Sequence, residues 1–174
     1  CMEKPIAWKD YNDEQLAELE SLCAEYRQFL SAGKTERECT VLTVQMAEAA
    51  GYRNLEDIIE AGESVKVGDK VYAVNMKKAV ILFHIGEEDI QKGMNILGAH
   101  IDSPRLDVKQ NPMYEDSGLT YLDTHYYGGV KKYQWPTVPL ALHGVVALKS
   151  GEVIPVCIGE AEDDPIFYVT DLLI

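Results

Sequence analysis

The spacing of apolar residues changes once along this chain of 174 residues, and that change constrains the fold more than any other feature. Up to about residue 61, apolar side chains recur every three or four residues, which is the interval of an amphipathic helix. From residue 70 onward they alternate or form short runs, as they do in strands. We therefore predict an α/β fold in which helices come first and strands follow, with no internal repeat.

Capping residues indicate where the helices begin. Thr35 and Glu38 have the spacing of a capping box, and Asn54 precedes a short third apolar pattern. Gly33 and Gly51 are typical of helix ends. The predicted helices are 10–31, 35–51 and about 55–61, and the candidate caps of the first are Asp10, Asn12 and Asp13.

Short β-rich segments separated by turn residues predict the strands. The two clearest hairpin turns are residues 75–78 and 149–152. Asn111-Pro112 and the segment 116–118 mark two further turns. The predicted strands are 70–74, 79–85, 95–101, 106–109, 119–125, 141–148, 153–158 and 166–169.

Charge and cysteine content limit the classes of binding partner and the cellular compartment that fit this chain. The chain carries 16 basic and 29 acidic residues, a formal net charge of −13, which argues against nucleic acid or an anionic membrane as partner. We find no apolar run near the ~20 residues that span a bilayer, and no signal peptide. Cys23, Cys39 and Cys157 lack metal-site spacing, so we expect structural thiols in a reducing cytoplasm.

One stretch of the chain carries candidate metal-site chemistry. His100 and Asp102 follow a hydrophobic run and precede Ser103-Pro104. In a strand over residues 95–101 that ends at this proline, both side chains point to one face at the strand's carboxyl end. The imidazole then binds a metal and the carboxylate fixes it. The same spacing also fits an ordinary histidine that is bonded to Asp102 and binds no metal.

The other three histidines are weaker candidates. We interpret His84 as a structural residue at a strand end and His143 as a half-buried histidine with a satisfied hydrogen bond. His125 precedes Tyr-Tyr-Gly-Gly, which fits a ligand-facing loop or a plain tight turn. The sequence contains no nucleotide-binding glycine motif, no Gly-x-Ser-x-Gly and no His-Glu-x-x-His, so those chemistries have no support in this span.

The sequence around His100 resembles that of a known family. Residues 98–109, beginning Gly-Ala-His-Ile-Asp-Ser-Pro, resemble the signature of the aspartyl aminopeptidase family, which includes the vacuolar aminopeptidase I group. Five further segments are similar to the bacterial branch of that family: 124–129, 133–135, 139–146, 164–167 and 170–173. The resemblance covers most of the chain, and its most specific part is 98–109 together with Tyr-Gly-Gly.

The resemblance implies a zinc-dependent aminopeptidase. Residues 1–150 would form the N-terminal part of a peptidase lobe, a mixed sheet with flanking helices, and 151–174 the start of an inserted β-rich domain. The enzyme would hold two zinc ions, or other divalent ions, and hydrolyse peptides as a cytoplasmic homo-oligomer, a dodecamer. His100 would be a zinc ligand, Asp102 the catalytic aspartate that orients it, and Gly128-Gly129 part of a loop near the site.

The resemblance also implies an incomplete site in this span. The remaining ligands and the glutamate base of the family lie later in the chain than Ile174. Since a zinc ion needs three or four protein ligands, we expect the isolated chain to be an inactive fragment. Two alternatives stay open, a non-catalytic assembly module and a metal hydrolase completed by another subunit. Residues 135–139 depart from some relatives, so no preference for acidic or neutral N-terminal residues is predicted.

Overall fold

The computed structural model describes residues 6–170, and the chain divides into two compact units, residues 1–99 and 100–174. The fold is mixed α/β, as predicted. The C-terminal segment that resembles the family lies outside the described residues from position 171 onward. The predicted domain division at residue 150 is a different division from that between the compact units, and it stays a prediction.

Local capping signals place the three α-helices described in the first unit where they were predicted. Asn12 accepts a hydrogen bond from the backbone of Gln15 at 2.9 Å, and Thr35 accepts one from the backbone of Glu38 at 3.3 Å. Gln15 and Glu38 bond back to the backbone of the capping residue, so both helices begin with a capping box. The helices are α1 (Asp13–Ala32), α2 (Glu36–Ala49) and α3 (Leu55–Glu60).

A three-stranded mixed sheet completes the first unit and confirms the predicted hairpin. Its strands are β1 (Arg53–Asn54), β2 (Lys70–Asn75) and β3 (Ala79–His84). The central strand β2 pairs parallel with β1 and antiparallel with β3. Met76 and Lys77 form the turn at positive φ angles of 50° and 58°, the conformation that a two-residue hairpin turn with the correct twist requires.

The buried core of the first unit lies where α2 and α3 pack against β2. Its apolar members are Cys39, Ala47, Ile58, Val71 and Tyr72. Burial raises the pKa of the Cys39 thiol, which agrees with the expected structural role. Cys23 and Cys157 are exposed, and among the described residues Cys23, Cys39 and Cys157 are free.

Tyr72 links β2 to α2, because its hydroxyl donates a 2.7 Å hydrogen bond to Glu48. This bond raises the pKa of Tyr72 to about 12. We expect Tyr72→Phe to lower the free energy of unfolding by about 1 kcal/mol in urea titrations. Because the folded-state pKa is raised, the difference should hold below pH ~10, the ordinary tyrosine value, and vanish as the pH rises through about 12. Tyr26→Phe, at an exposed position on α1, is the control, and equal effects would contradict the prediction.

The segment that follows β3 departs from the prediction. Residues 93–104 form neither helix nor strand, so the predicted strand 95–101 is wrong. Ile96 and Leu97 are 80% and 96% exposed. A strand exists only where a neighbouring backbone completes its hydrogen bonds, and within residues 6–170 no backbone pairs with this segment.

The strands described in the second unit form two antiparallel hairpins. The first joins β4 (Arg105–Asp116) to β5 (Leu119–Tyr127) through the predicted turn at Ser117-Gly118. The second joins β6 (Leu142–Ala147) to β7 (Val153–Ile158) and is confirmed as predicted.

Two local predictions in the second unit are wrong. No turn forms at Asn111-Pro112; β4 continues through these residues, and its register against β5 shifts between Val108 and Met113. Proline cannot donate to the ladder, so an irregularity in the pairing accommodates it within the strand. The predicted strand 166–169 makes only isolated bridges, Leu140 with Phe167 and Pro136 with Val169.

A transmembrane helix is not found in the part of the chain that the structure describes, since no helix there is both long and apolar enough.

Candidate metal site

His100 and Asp102 lie together, although not on a strand. Both belong to the irregular segment immediately before β4, so they precede a strand instead of ending one. Their contact comes from the local fold of the chain. The His100 Nδ1 lies 3.0 Å from the backbone oxygen of Asp102 and 3.2 Å from its Oδ1.

This contact determines which ring nitrogen of His100 is available to bind a metal. Both neighbours of Nδ1 are oxygen acceptors, so Nδ1 carries the proton and donates it to them. The lone pair of the neutral ring then resides on Nε2. The His100 side chain is 84% exposed. An imidazole oriented by a carboxylate through one nitrogen and open at the other fits a zinc ligand.

The second carboxylate oxygen of Asp102 is bound by a residue from the end of β5. The hydroxyl of Tyr127 donates to Asp102 Oδ2 at 2.9 Å. This hydrogen bond, followed by the backbone and His100, lowers the pKa of Asp102 below its usual value. Asp102 therefore stays ionised near neutral pH and accepts hydrogen bonds on both oxygens.

The ring of Tyr127 is in turn covered by a guanidinium group. The Arg105 guanidinium carbon lies 4.0 Å from the centre of the Tyr127 ring, and Arg105 Nε donates to Asp107 Oδ1 at 2.8 Å. Arg105 and Tyr127 are paired residues of β4 and β5. Neither side chain was predicted from the sequence, although Arg105 lies within the segment 98–109 and Tyr127 begins the Tyr-Gly-Gly motif.

The backbone of Gly128, the residue after Tyr127, packs against Pro104. Its φ angle is 75°, a conformation that favours glycine, and a side chain built there would lie 3.5–3.7 Å from Pro104. The tandem glycine motif thus directs the chain away from β5 while its backbone packs beside the segment that carries Asp102.

The other histidines lie in different surroundings. His143 is bonded through Nε2 to Glu160 Oε1 at 3.1 Å, and its side chain is 13% exposed, in agreement with the expected satisfied histidine. His125 lies within β5 and stacks on Tyr126 at 5.3 Å between ring centres. His84 is the exposed last residue of β3.

The described side chains around His100 supply only part of the ligands of a metal site. Among residues 6–170, no group of three or more His, Cys, Asp or Glu side chains converges as metal ligands would. Since a catalytic zinc site takes three protein ligands, His100 fits one position of such a site, and the described residues do not supply the rest.

Comparison with known proteins identifies a family. Residues 29–174 match the sequence profile described as aminopeptidase I zinc metalloprotease (M18). A protein of Clostridium acetobutylicum named probable M18 family aminopeptidase 1 is 55% identical over 168 residues, 97% of this chain and 36% of that protein. A Borreliella burgdorferi protein with the same name is 40% identical over 99% of this chain and 37% of its own length.

Solved structures agree with this match. The crystal structure of aminopeptidase I from Borrelia burgdorferi B31 superimposes with a TM-score of 0.87 at 39% identity, over 95% of this chain and 40% of the other. That of aminopeptidase I from Clostridium acetobutylicum superimposes with a TM-score of 0.84 at 52% identity, over 100% and 38%. The chain therefore spans less than half the length of the relatives that it matches.

Proposed function

The chain belongs to the aminopeptidase I zinc metalloprotease family, M18, and from this premise we propose that it is part of a zinc-dependent aminopeptidase that removes N-terminal residues from peptides. The observation that carries the proposal is the state of His100. Its Nδ1 is bonded to Asp102, its Nε2 is open, and it lies inside the span that matches the family.

In this proposal His100 is a zinc ligand and Asp102 is the catalytic aspartate that orients it. The carboxylate holds the proton on Nδ1, so Nε2 stays available to a metal. When bound at such a site, zinc would supply a water nucleophile near neutral pH and polarisation of the peptide carbonyl. The complete site holds two zinc ions, with the remaining ligands and the proton-transferring glutamate supplied from outside residues 1–174.

Further parts of the proposal concern assembly and location. A homo-oligomer, a dodecamer by resemblance to the family, assembles through an inserted domain that begins near residue 151. The enzyme acts in the cytoplasm, and the free state of Cys23, Cys39 and Cys157 supports a reducing compartment. The net charge of −13 supports peptide over nucleic acid or anionic membrane as partner.

Zinc analysis and hydrolysis of aminoacyl-p-nitroanilides test the proposal. The complete protein should contain tightly bound zinc, release p-nitroaniline, and lose this activity to a chelator. The isolated chain 1–174 should do none of these, because one histidine cannot hold a tetrahedral ion. Stoichiometric zinc or turnover in the isolated chain would contradict the partial site, and an inactive, zinc-free complete protein would overturn the function.

A further inference from the structure

The two carboxylate oxygens of Asp102 have different hydrogen-bond partners. This arrangement restricts the orientation of the carboxylate and, through it, of the His100 imidazole. Oδ1 lies 3.2 Å from His100 Nδ1, and Oδ2 accepts the Tyr127 hydroxyl at 2.9 Å. A carboxylate bound at one oxygen can rotate about its last torsion. One bound at both oxygens is fixed in plane, and so is the imidazole that it orients.

The Tyr127 hydroxyl is itself held in place from two directions. The guanidinium of Arg105 covers the ring at 4.0 Å, and Asp107 fixes that guanidinium through a 2.8 Å hydrogen bond. On the backbone side, Tyr127 is the last residue of β5 and pairs with Arg105, the first residue of β4. The hydroxyl position is therefore set by the hairpin and not by rotamer freedom of an exposed tyrosine.

We propose that Tyr127, held by Arg105, is a positioning residue for the metal site: its hydroxyl fixes the Asp102 carboxylate, which fixes the His100 imidazole. This inference deepens the proposed function and rests on it. In this role Tyr127 acts through the Asp102 carboxylate, to which its hydroxyl donates. Its contribution is a smaller loss of side-chain entropy when His100 binds zinc, because the imidazole is ordered beforehand.

The test is Tyr127→Phe in the complete protein, which removes one oxygen atom and keeps the ring beneath Arg105. Tyr126→Phe is the matched control, because it removes the same atom from the preceding residue, whose ring stacks on His125. Zinc dissociation constants come from competition with a chromogenic chelator. We expect a roughly 10-fold weaker zinc affinity in Tyr127→Phe, the lower end for partners that act through a ligand, and no change in Tyr126→Phe.

Two further readouts separate positioning from a general structural role. The visible absorption spectrum of the cobalt-substituted protein should change in Tyr127→Phe and stay constant in Tyr126→Phe. In kinetics with zinc in excess, kcat should fall while KM for the aminoacyl-p-nitroanilide stays within about twofold. Arg105→Lys keeps the positive charge but loses the planar group over the Tyr127 ring. It should therefore weaken zinc affinity too, by a smaller factor than Tyr127→Phe does.

The outcomes distinguish this inference from the function on which it rests. If the unmodified complete protein binds no zinc and hydrolyses nothing, the proposed function fails. If it does both, and Tyr127→Phe matches Tyr126→Phe in zinc affinity and cobalt spectrum, the positioning role is overturned. If Tyr127→Phe fails to fold, Arg105→Lys decides: unchanged zinc affinity and cobalt spectrum overturn the role, and a shift in both supports it.

Discussion

Replacing His100 with alanine should lower both the zinc affinity and the peptide hydrolysis of the complete protein by on the order of 10³-fold or more. Residues that merely orient a ligand typically contribute roughly 10–100-fold, so deletion of the ligand itself must cost more. The loss should appear mainly in kcat, because in the proposed reaction a bound metal would activate the water that attacks the peptide. Excess zinc in the assay should restore little of the activity.

His84→Ala and His125→Ala are the matched controls for this experiment. Each deletes the same imidazole, His84 from the end of β3 and His125 from within β5. Both should retain zinc content and kcat within about twofold, as expected for exposed substitutions away from special features. If His100→Ala resembles these controls in zinc content, the assignment of His100 as ligand is wrong, and its bond to Asp102 is purely structural.

The features that sequence alone predicted well are those set by neighbouring residues. The capping boxes at Asn12 and Thr35 involve residues three positions apart, so the pattern that predicts each helix start also forms it. The hairpins at β2–β3 and β6–β7 have short turns and continuous registers. In each case the information needed lies within a few residues of the feature.

The strand predicted at 95–101 failed because a strand is not a local property. Its composition is apolar, yet Ile96 and Leu97 are exposed and no described backbone pairs with them. The expected contact between His100 and Asp102 nevertheless forms, while metal binding by His100 stays a prediction. A bond between the Nδ1 of His100 and the Asp102 backbone and side chain requires only a two-residue separation, which the chain provides without a strand.

The role of Tyr127 could not be derived from spacing, because a register shift determines its neighbour. Counting outward from the turn at Ser117-Gly118 places Tyr127 opposite Val108. The shift between Val108 and Met113 instead brings Tyr127 opposite Arg105, where the guanidinium covers its ring and its hydroxyl reaches Asp102. Sequence patterns indicate that a hairpin exists, but a bulge of this kind depends on the full ladder.

Asp102→Asn should reduce zinc affinity and kcat of the complete protein by about 10–100-fold while leaving the fold intact. The amide has the shape of the carboxylate but carries a donor on one side. In one orientation the amide N–H group faces the Tyr127 hydroxyl. In the other it faces His100 Nδ1 and favours the ring tautomer that carries its proton on Nε2. That tautomer has no lone pair on Nε2 for zinc. Zinc titration and steady-state kinetics measure the loss, and retention of both within twofold would contradict the role of Asp102.

Combining Asp102→Asn with Tyr127→Phe tests whether the two residues act in series. If the Tyr127 hydroxyl acts only through the Asp102 carboxylate, its removal should cost little once the carboxylate is gone. The double variant should therefore bind zinc about as weakly as Asp102→Asn alone, which gives a coupling close to the whole effect of Tyr127→Phe. Fully additive losses would mean that Tyr127 reaches the site by another route. A pairing of Tyr127→Phe with His84→Ala, which alone should leave zinc content within about twofold, should be additive and sets the scale for independence.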